Sequence, residues 1–235
     1  MSQENYPPRF VYWRLNSRAQ LPMLMLRASN LHYEWDSYTA NTWPNPKDKM
    51  PFGQLPVLFH NDRVIAQSST ISRYCAKLAG LLPTDEDAAL QVDMLMEHCK
   101  DIFSIFSKAK YSASNISDPD AAKSTQKRAW ADVREVQLPQ KLDYLAKHLG
   151  VNKFFSGPPP TFNAADVAVF STLYLVRQAG LWTCLDKYPT LISHYERMKT
   201  QGSIQEFIDE KNNPYFVAPP PEEFSDGAPA VAVMF

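Results

Sequence analysis

The sequence is poor in cysteine, and it has neither an excess of one charge nor a long apolar run. Its cysteines, Cys75, Cys99 and Cys184, are odd in number, far apart and outside any C-x-x-C pair. This disfavours a disulfide framework, a zinc site and a thioredoxin-type redox pair. The 24 basic and 25 acidic residues nearly cancel, so the chain carries no electrostatic signature of nucleic-acid or membrane binding. No apolar run approaches the roughly 20 residues that span a bilayer.

The N-terminus lacks the features of a secretory signal. Residues 1–5 include an acid, Glu4, and no apolar core, so we expect a cytoplasmic protein with reduced thiols. The chain does have 45% hydrophobic and 12% aromatic residues. That content is ample for packed cores in one large or two small domains.

The first third of the chain alternates short strand and helix patterns. Strand patterns occur at 10–13, 32–38, 55–59 and 63–66, and helical patterns at 18–28 and from residue 67 onward. The resulting order is βαβ, a linking segment, and then ββα. We therefore predict a thioredoxin-like α/β domain over residues 1–83.

Beyond Pro83 the strand patterns stop. Long helical patterns cover 86–112, 120–149, 163–179 and 187–211. We therefore predict an all-helical second domain over residues 84–211. Asn163 and Asp166 fit a capping arrangement at the start of the third of these helices. Residues 212–235 are rich in proline, which rules out a continuous helix, and we expect a mobile extension rather than an ordered lid.

The most informative stretch covers residues 43–68. Pro56 heads a short apolar run and cannot donate to a sheet ladder, so it belongs at the first position of a strand, where a cis bond would turn the preceding backbone sharply. The backbone of Leu55 would then be available to pair with an extended peptide. A hydroxyl-rich helix start after Gln67 would attract a carboxylate. Taken singly, these features also suit an ordinary core strand and an ordinary helix cap.

Their order resembles the glutathione site of cytosolic glutathione transferases. The family's pattern of Trp, Lys, Gly-Gln-Leu-Pro-Val-Leu and Gln-Ser is matched here without gaps. The resemblance implies the glutathione transferase fold and glutathione as cosubstrate, with Trp43 and Lys47 meeting the peptide's second carboxylate. The residues that it assigns to glutathione are Trp43, Lys47, Gln54, Leu55, Pro56, Gln67 and Ser68.

The resemblance extends to the first strand and the helix after it. Tyrosine-type transferases carry a Tyr, an aromatic residue, several variable residues and Arg-Ala-Glu, and the same register runs here from Tyr12 to Gln20. It implies that the Tyr12 hydroxyl donates to the glutathione thiolate and that Arg18 stabilises the thiolate or orients the tyrosine. Two departures are Ser17, where glycine is common, and Gln20, where the family has an acid.

Other enzyme types fit this segment less well. A serine-type enzyme would need its serine where Leu15 stands, and a cysteine-type enzyme would need a cysteine near Tyr12. Thiol-disulfide exchange is therefore disfavoured. On its own pattern, Tyr12 also suits a strand aromatic packed in the core.

Within the family, the sequence is most similar to the sigma class. Asp101 stands at the register where the sigma-class aspartate reaches the γ-glutamyl amine of the neighbouring subunit's glutathione, which implies a homodimer. Lys100 occupies a position that is acidic in prostaglandin synthases of this class, so we predict no metal. We expect an electrophile pocket lined by Leu15, Ser17, Phe103, Ser107 and Lys108.

The reading that follows is a tyrosine-type glutathione transferase acting on small hydrophobic electrophiles in detoxification. A glutathione-dependent isomerase of the prostaglandin-synthase type would use the same site residues. A non-catalytic ligand-binding or structural protein of this fold is a third reading, and peroxidase activity could arise as a side reaction of the same thiolate.

Overall fold

Buried apolar residues near the start of the chain build a four-stranded sheet. In the computed structural model, which describes residues 6–13, 17–39, 41–43, 46–157 and 161–209, the strands are β1 (Arg9–Trp13), β2 (Glu34–Tyr38), β3 (Val57–His60) and β4 (Arg63–Ala66). Their order in the sheet is β2-β1-β3-β4. β1 pairs in parallel with β2 and antiparallel with β3, and β3 pairs antiparallel with β4.

Two helices complete this part of the molecule, α1 (Ser17–Ala28) and α2 (Ser68–Leu78). α1 buries four consecutive residues, 23–26, each with no exposed surface, so it is apolar on most sides rather than on one stripe. α2 buries one face with Ile71, Ser72, Cys75 and Ala76. The predicted βαβ, link and ββα order is confirmed.

The pairing of β1 is uneven, and this shapes the sheet at one end. The register with β2 continues to Trp13 opposite Tyr38, whereas the register with β3 stops at Val11 opposite Val57. The last two residues of β1 therefore run past the point where β3 begins. Leu55 and Pro56 lie just outside the paired strands at this end, and the bond between them is cis.

Helices make up the second part, as predicted. They are α3 (Glu86–Tyr111), α4 (Pro119–Asp132), α5 (Leu138–Leu149), α6 (Ala164–Gln178) and α7 (Pro189–Lys199), and a short α8 (Ile204–Ile208) follows. α3 and α4 begin at aspartate caps, Asp85 and Asp118, whose carboxylates accept from the backbone of Ala88 and Ala121. None of the described helices is long and apolar enough to cross a membrane.

The prediction of one helix over 120–149 was wrong in its middle. A π-helical segment, Val133–Gln137, separates α4 from α5. Pro139 explains the interruption, because it has no N–H to give to the carbonyl one turn earlier and its ring crowds that carbonyl.

The prediction of one helix over 187–211 was also wrong. α7 ends at Lys199, and α8 begins only at Ile204. Between them Gly202 adopts φ +50, and a Cβ there would lie 2.5 Å from the carbonyl oxygen of Ala28. The chain turns at this glycine so that Ser203 can donate to the carbonyl of Arg27, at 2.9 Å from the backbone nitrogen.

The chain divides into two units that differ at one end from the predicted domains. The first unit contains residues up to Leu82 and the segment that starts at Lys199, and the second contains Pro83–Met198. The change at residue 82 matches the sequence. The turn at Gly202 and helix α8, which the sequence placed with the second domain, pack instead on α1 of the first. The proline-rich stretch 212–235 lies outside the described residues.

The centre of the second unit is α6, in which 14 residues are buried. The predicted cap at its start is confirmed: the side chain of Asn163 accepts from the backbone of Ala165 at 2.8 Å, and Asp166 accepts from the backbone of Asn163 at 2.9 Å. Asp166 has no exposed surface, and it also accepts from Phe155 N at 2.7 Å and from His194 Nε2 at 3.0 Å.

Candidate active site

A cavity of about 420 Å³ opens in the first unit at the end of the sheet where β1 outruns β3. Its wall comes from the end of β1, the start of α1, the segment before β3, and the junction of β4 with α2. The lining residues are Trp13, Arg18, Trp43, Lys47, Pro51, Gly53, Gln54, Leu55, Pro56, Ala66, Gln67 and Ser68. The structure thus brings together every residue of 43–68 that the sequence assigned to glutathione.

One side of the cavity is the start of helix α2. Gln67 stands before the helix with φ 71 and ψ 117, and its side chain makes no capping hydrogen bond. A helix start without a side-chain cap keeps backbone N–H groups available to an external acceptor, and the helix dipole favours an anion there. The strained backbone of Gln67 turns the chain from β4 into α2 at this edge. This corner of the cavity can hold a carboxylate.

The opposite side comes from the loop before β3. Lys47 is exposed, and its side chain passes close to Gly53, where an added Cβ would lie 3.6 Å from Lys47 Cε. Gly53 has φ +56, a conformation that favours glycine. The loop therefore holds the aliphatic part of Lys47 against its own backbone and leaves the ammonium group for an anion.

Two tryptophans form a further part of the wall. The rings of Trp13 and Trp43 meet edge to face with centroids 5.7 Å apart, and Tyr38 contacts Trp43 from another direction at 5.8 Å. All three side chains are half-buried. Trp43 has an indole N–H as a donor toward a ligand.

The charge of the wall is positive. Arg18 and Lys47 line the cavity, and no aspartate or glutamate does so among the described residues. The site thus offers two cations and a helix start at separate points around an extended groove, and Leu55 lies outside the strand pairing in the middle. An elongated anion with a peptide backbone fits this pattern of donors and charges.

Family models match both parts of the chain. The model of the glutathione S-transferase N-terminal domain matches residues 8–77, and the model of the glutathione S-transferase C-terminal domain matches residues 97–211. The chain belongs to the glutathione S-transferase family.

Individual relatives agree with this membership along most of their length. Hematopoietic prostaglandin D synthase of Gallus gallus is 27% identical over 206 residues, which cover 86% of this chain and 96% of that protein. A glutathione S-transferase of Dirofilaria immitis is 26% identical over 208 residues, 87% of this chain and 93% of that protein. The structure of the Pi-class glutathione S-transferase of Onchocerca volvulus superposes with a TM-score of 0.75 at 24% identity, covering 88% of this chain and 94% of that chain.

Tyr12 lies next to the cavity in sequence but is not among the residues of its wall. It is the residue before Trp13 on β1, it is only 4% exposed, and its ring meets that of Trp35 edge to face at 6.2 Å. Arg18, the second predicted catalytic residue, is exposed at the start of α1 and does line the cavity. Residues 14–16, which join the two and include Leu15 of the predicted electrophile pocket, lie outside the described residues.

Ser17 has φ 27 and is half-buried. This conformation gives a physical reason why the family often has glycine there, since an L side chain is strained at positive φ.

The remaining predicted residues belong to α3 of the helical unit. Asp101 is exposed, and its carboxylate accepts from Lys141 Nζ of α5 at 3.1 Å. Phe103 and Ser107 are half-buried one turn apart on the same helix, and Lys108 is exposed. Lys100 pairs with Glu97 at 2.9 Å, and the described residues contain no group of three or more His, Cys, Asp or Glu side chains that could hold a metal ion.

Four residues of the wall were not predicted: Trp13, Pro51, Gly53 and Ala66. Gly53 had a usable signal, because a glycine directly before Gln54 allows the close approach of Lys47. Trp13 directly follows Tyr12, but strand alternation gives no hint that its ring would reach Trp43. Pro51 lies in the loop before β3 and Ala66 ends β4, and neither residue type marks a ligand site.

None of the three cysteines lines the cavity. Cys75 and Cys99 are buried, and burial raises the pKa of both thiols, that of Cys99 to about 12. Such thiols remain protonated at neutral pH and are poor nucleophiles.

Proposed function

We propose that this protein conjugates the thiolate of glutathione to small hydrophobic electrophiles, as a cytoplasmic homodimer of the tyrosine type nearest the sigma class. The observation that carries the proposal is the cavity wall, in which two cations, a helix start and an unpaired strand end are arranged around one groove. Membership of the glutathione S-transferase family supports the same reading.

Glutathione would lie in the groove as an added strand. Its γ-glutamyl carboxylate would accept from the backbone at the start of α2, beside Gln67 and Ser68. The cysteinyl backbone would pair with Leu55. The glycine carboxylate would meet Lys47 and the indole N–H of Trp43, with Gln54 beside them. Each carboxylate thereby receives a positive partner, and neither faces a negative side chain of the described wall.

The chemical problem is the thiol of glutathione, which at a pKa near ~8.5 is only about 3% ionised at neutral pH. A hydrogen bond from the Tyr12 hydroxyl and the charge of Arg18 would favour the thiolate and lower this pKa. The thiol proton passes to solvent, and the thiolate sulfur forms a bond to the electrophilic carbon. In a substitution the leaving group departs with the bonding electrons, and in a conjugate addition a proton from water completes the product.

The cavity wall offers the α-ammonium of glutathione no acidic side chain among its described residues. In our proposal, Asp101 of the other subunit supplies that side chain. The exposed apolar side chains Leu90 and Met94, 56% and 59% exposed, lie on α3 three turns and two turns before Asp101. They support an interface along this face of α3, because large apolar side chains exposed together are a feature of association surfaces.

The first unit also carries an apolar side chain suited to an interface. Phe52 stands on the loop before β3, is 76% exposed and has φ 59. A large aromatic held in a strained backbone conformation and facing solvent is unfavourable in a monomer. Burial of the Phe52 ring against a second copy would remove the cost of exposing it to water.

The electrophile would be held by Ser17, Phe103 and Ser107, together with Lys108 and with Leu15, which lies outside the described residues. The half-burial of Phe103 and Ser107 supports this assignment, since each keeps some surface for a ligand. The expected substrates are apolar electrophiles such as aryl halides, isothiocyanates and lipid-derived enals. A cytoplasmic location is consistent with three free cysteines.

A second candidate is a glutathione-dependent isomerase. It is favoured by one specific observation, the 27% identity to a hematopoietic prostaglandin D synthase over 96% of that protein. Glutathione would then be regenerated at the end of the reaction instead of being consumed. Measuring glutathione consumption with a prostanoid endoperoxide as substrate separates the two activities.

The test of the proposed function is conjugation of glutathione to a generic aryl halide by wild type, Tyr12→Phe and the control Tyr144→Phe. Tyr144 is 57% exposed on α5 and does not line the cavity, so Tyr144→Phe removes a comparable hydroxyl that the proposal does not use. If Tyr12 lowers the thiol pKa by ~2 units, its loss should reduce the rate at pH 7 roughly 25-fold, as the thiolate fraction falls from about 76% to about 3%. The control should keep the wild-type rate.

Glutathione binding is measured in parallel by calorimetry. If glutathione binds but no electrophile is turned over, the proposal is wrong and the hypothesis of a non-catalytic ligand-binding protein replaces it. An equal rate in wild type and Tyr12→Phe would remove Tyr12 from the mechanism.

A further inference from the structure

Trp43 is supported by two aromatic side chains that come from neighbouring strands. Trp13 and Tyr38 are register partners at the ends of the parallel strands β1 and β2. Their rings contact the Trp43 ring with centroid distances of 5.7 Å and 5.8 Å and interplanar angles of 68° and 48°. We refer to Trp13 and Tyr38 together as the aromatic platform.

The backbone of Trp43 is held independently of the aromatic platform. Trp43 N donates to the carbonyl of Thr39 at 2.9 Å. Thr39 N donates to the hydroxyl oxygen of Thr42 at 2.9 Å, and the two threonine hydroxyls lie 3.1 Å apart. The turn therefore sets where the Trp43 side chain begins, and the aromatic platform sets where its ring lies.

This support is specific to one end of the cavity. Trp13 and Trp43 both line it, whereas the neighbouring ligand-facing side chains Lys47 and Gln54 are exposed. An indole fixed before the ligand arrives loses less conformational entropy on binding than one that must be ordered. Edge-to-face aromatic pairs add stabilisation beyond their buried area.

We propose that Trp13 and Tyr38 are positioning residues that hold the indole of Trp43 for the glycine end of glutathione. This inference rests on the proposed function, because it assumes that glutathione is the ligand and that its glycine lies at Trp43. In this proposal, the aromatic platform raises the affinity for the glycine residue of glutathione. The thiolate chemistry at Tyr12 and Arg18 lies outside that role.

The test compares two ligands on the same variants. Dissociation constants are measured by calorimetry for glutathione and for γ-glutamylcysteine, which lacks the glycine, and kcat is measured at saturating glutathione. Trp13→Leu removes the supporting ring, and Trp13→Phe keeps an aromatic ring at that position. Tyr38→Leu and Tyr38→Phe form the same pair on β2, and Trp182→Phe is the control.

Trp182 is a suitable control because it also forms an edge-to-face pair, with Tyr195 at 4.9 Å, and is outside the cavity wall. We expect Trp13→Leu and Tyr38→Leu to weaken glutathione binding about 3- to 10-fold. In the same variants, binding of γ-glutamylcysteine should change less than about 2-fold, and kcat at saturating glutathione should fall by a smaller factor than the affinity for glutathione. Each Phe variant should weaken glutathione binding less than the matching Leu variant, and the Trp182→Phe control should stay near wild type.

Equal weakening for both ligands in the Leu variants would overturn the positioning role and indicate general damage to the cavity. Unchanged glutathione binding in both Leu variants would also overturn the positioning role. If Trp13→Leu does not fold, the comparison of Tyr38→Leu with Tyr38→Phe tests the role by itself. A wild-type protein that binds no glutathione would overturn the proposed function and the inference with it. A wild type that binds glutathione and tolerates both Leu variants would overturn the inference alone.

Discussion

Replacing Asp166 by alanine should destabilise the helical unit severely. The Asp166 carboxylate has no exposed surface and accepts from three donors, Phe155 N at 2.7 Å, Asn163 N at 2.9 Å and His194 Nε2 at 3.0 Å. Alanine would leave all three donors without this acceptor. A buried donor left unsatisfied costs about 1–3 kcal/mol.

The three costs are not equal. His194 has no exposed surface, so it would bear the full penalty, whereas Phe155 and Asn163 are half-buried and water can reach them in part. We therefore expect a loss of about 3–5 kcal/mol from the free energy of unfolding, because the cost of an unsatisfied donor is borne in full at His194 and in part at the two backbone N–H groups. Against a typical total of about 5–15 kcal/mol, this is a large fraction.

The assay is equilibrium urea unfolding followed by far-ultraviolet circular dichroism. His194→Phe is a graded comparison, since it removes one donor and leaves Asp166 with its two backbone partners, and about 1–2 kcal/mol should be lost. Asp186→Ala, at an exposed aspartate of the same unit, is a carboxylate control. A loss below about 1 kcal/mol for Asp166→Ala would refute the reasoning, as would a larger loss for His194→Phe than for Asp166→Ala.

Three further predictions concern the first unit. Gly202→Ala should lower the free energy of unfolding by more than about 1 kcal/mol, because φ is +50 and the new Cβ would lie 2.5 Å from the carbonyl oxygen of Ala28. An unchanged midpoint of urea unfolding would contradict this prediction. Ser17→Gly should raise the melting temperature slightly, because it relieves the backbone strain of a residue with a side chain at φ 27. The free energy of unfolding should rise by at most about 1 kcal/mol. A lower melting temperature would show that the Ser17 side chain makes a compensating contact. Burial lowers the pKa of His60, whose Nδ1 lies 2.7 Å from the hydroxyl oxygen of Tyr74, so the folded state favours the neutral imidazole. The free energy of unfolding should therefore fall as the pH drops below the unfolded-state pKa of 6.5. His60→Gln should flatten this fall in urea unfolding between pH 7.5 and 5.5, and an unaltered slope would contradict the prediction.

The fold was accessible from the sequence wherever the signal was local. Strand alternation, the stop of strand patterns near Pro83 and the cap at Asn163 each reside in a few consecutive residues, and the structure confirms them. The breaks within the predicted long helices were missed because periodicity continues across them. Pro139 stands at the second position of α5, where proline suits a helix start, and Gly202 could have been read as a tolerated helical glycine.

The site was predictable to the extent that it is contiguous. The stretch 43–68 contributes the loop, the start of β3 and the start of α2, and all seven residues assigned from it line the cavity. Trp13 was missed because its contact with Trp43 depends on where the loop after β2 returns, which no sequence spacing reports. The pairing of Asp101 with Lys141 joins residues 40 positions apart on two helices, and it was equally invisible in the pattern of either helix.

The pKa of the glutathione thiol, when bound to wild type and to Tyr12→Phe, shows whether Tyr12 stabilises the thiolate. It is read from the ultraviolet absorbance of the thiolate across a pH titration. We predict a bound thiol pKa about 2 units below the free value of ~8.5 in wild type, and a return toward that value in the variant. An unshifted pKa in both proteins, with glutathione bound, would contradict the account and leave Tyr12 as a core aromatic.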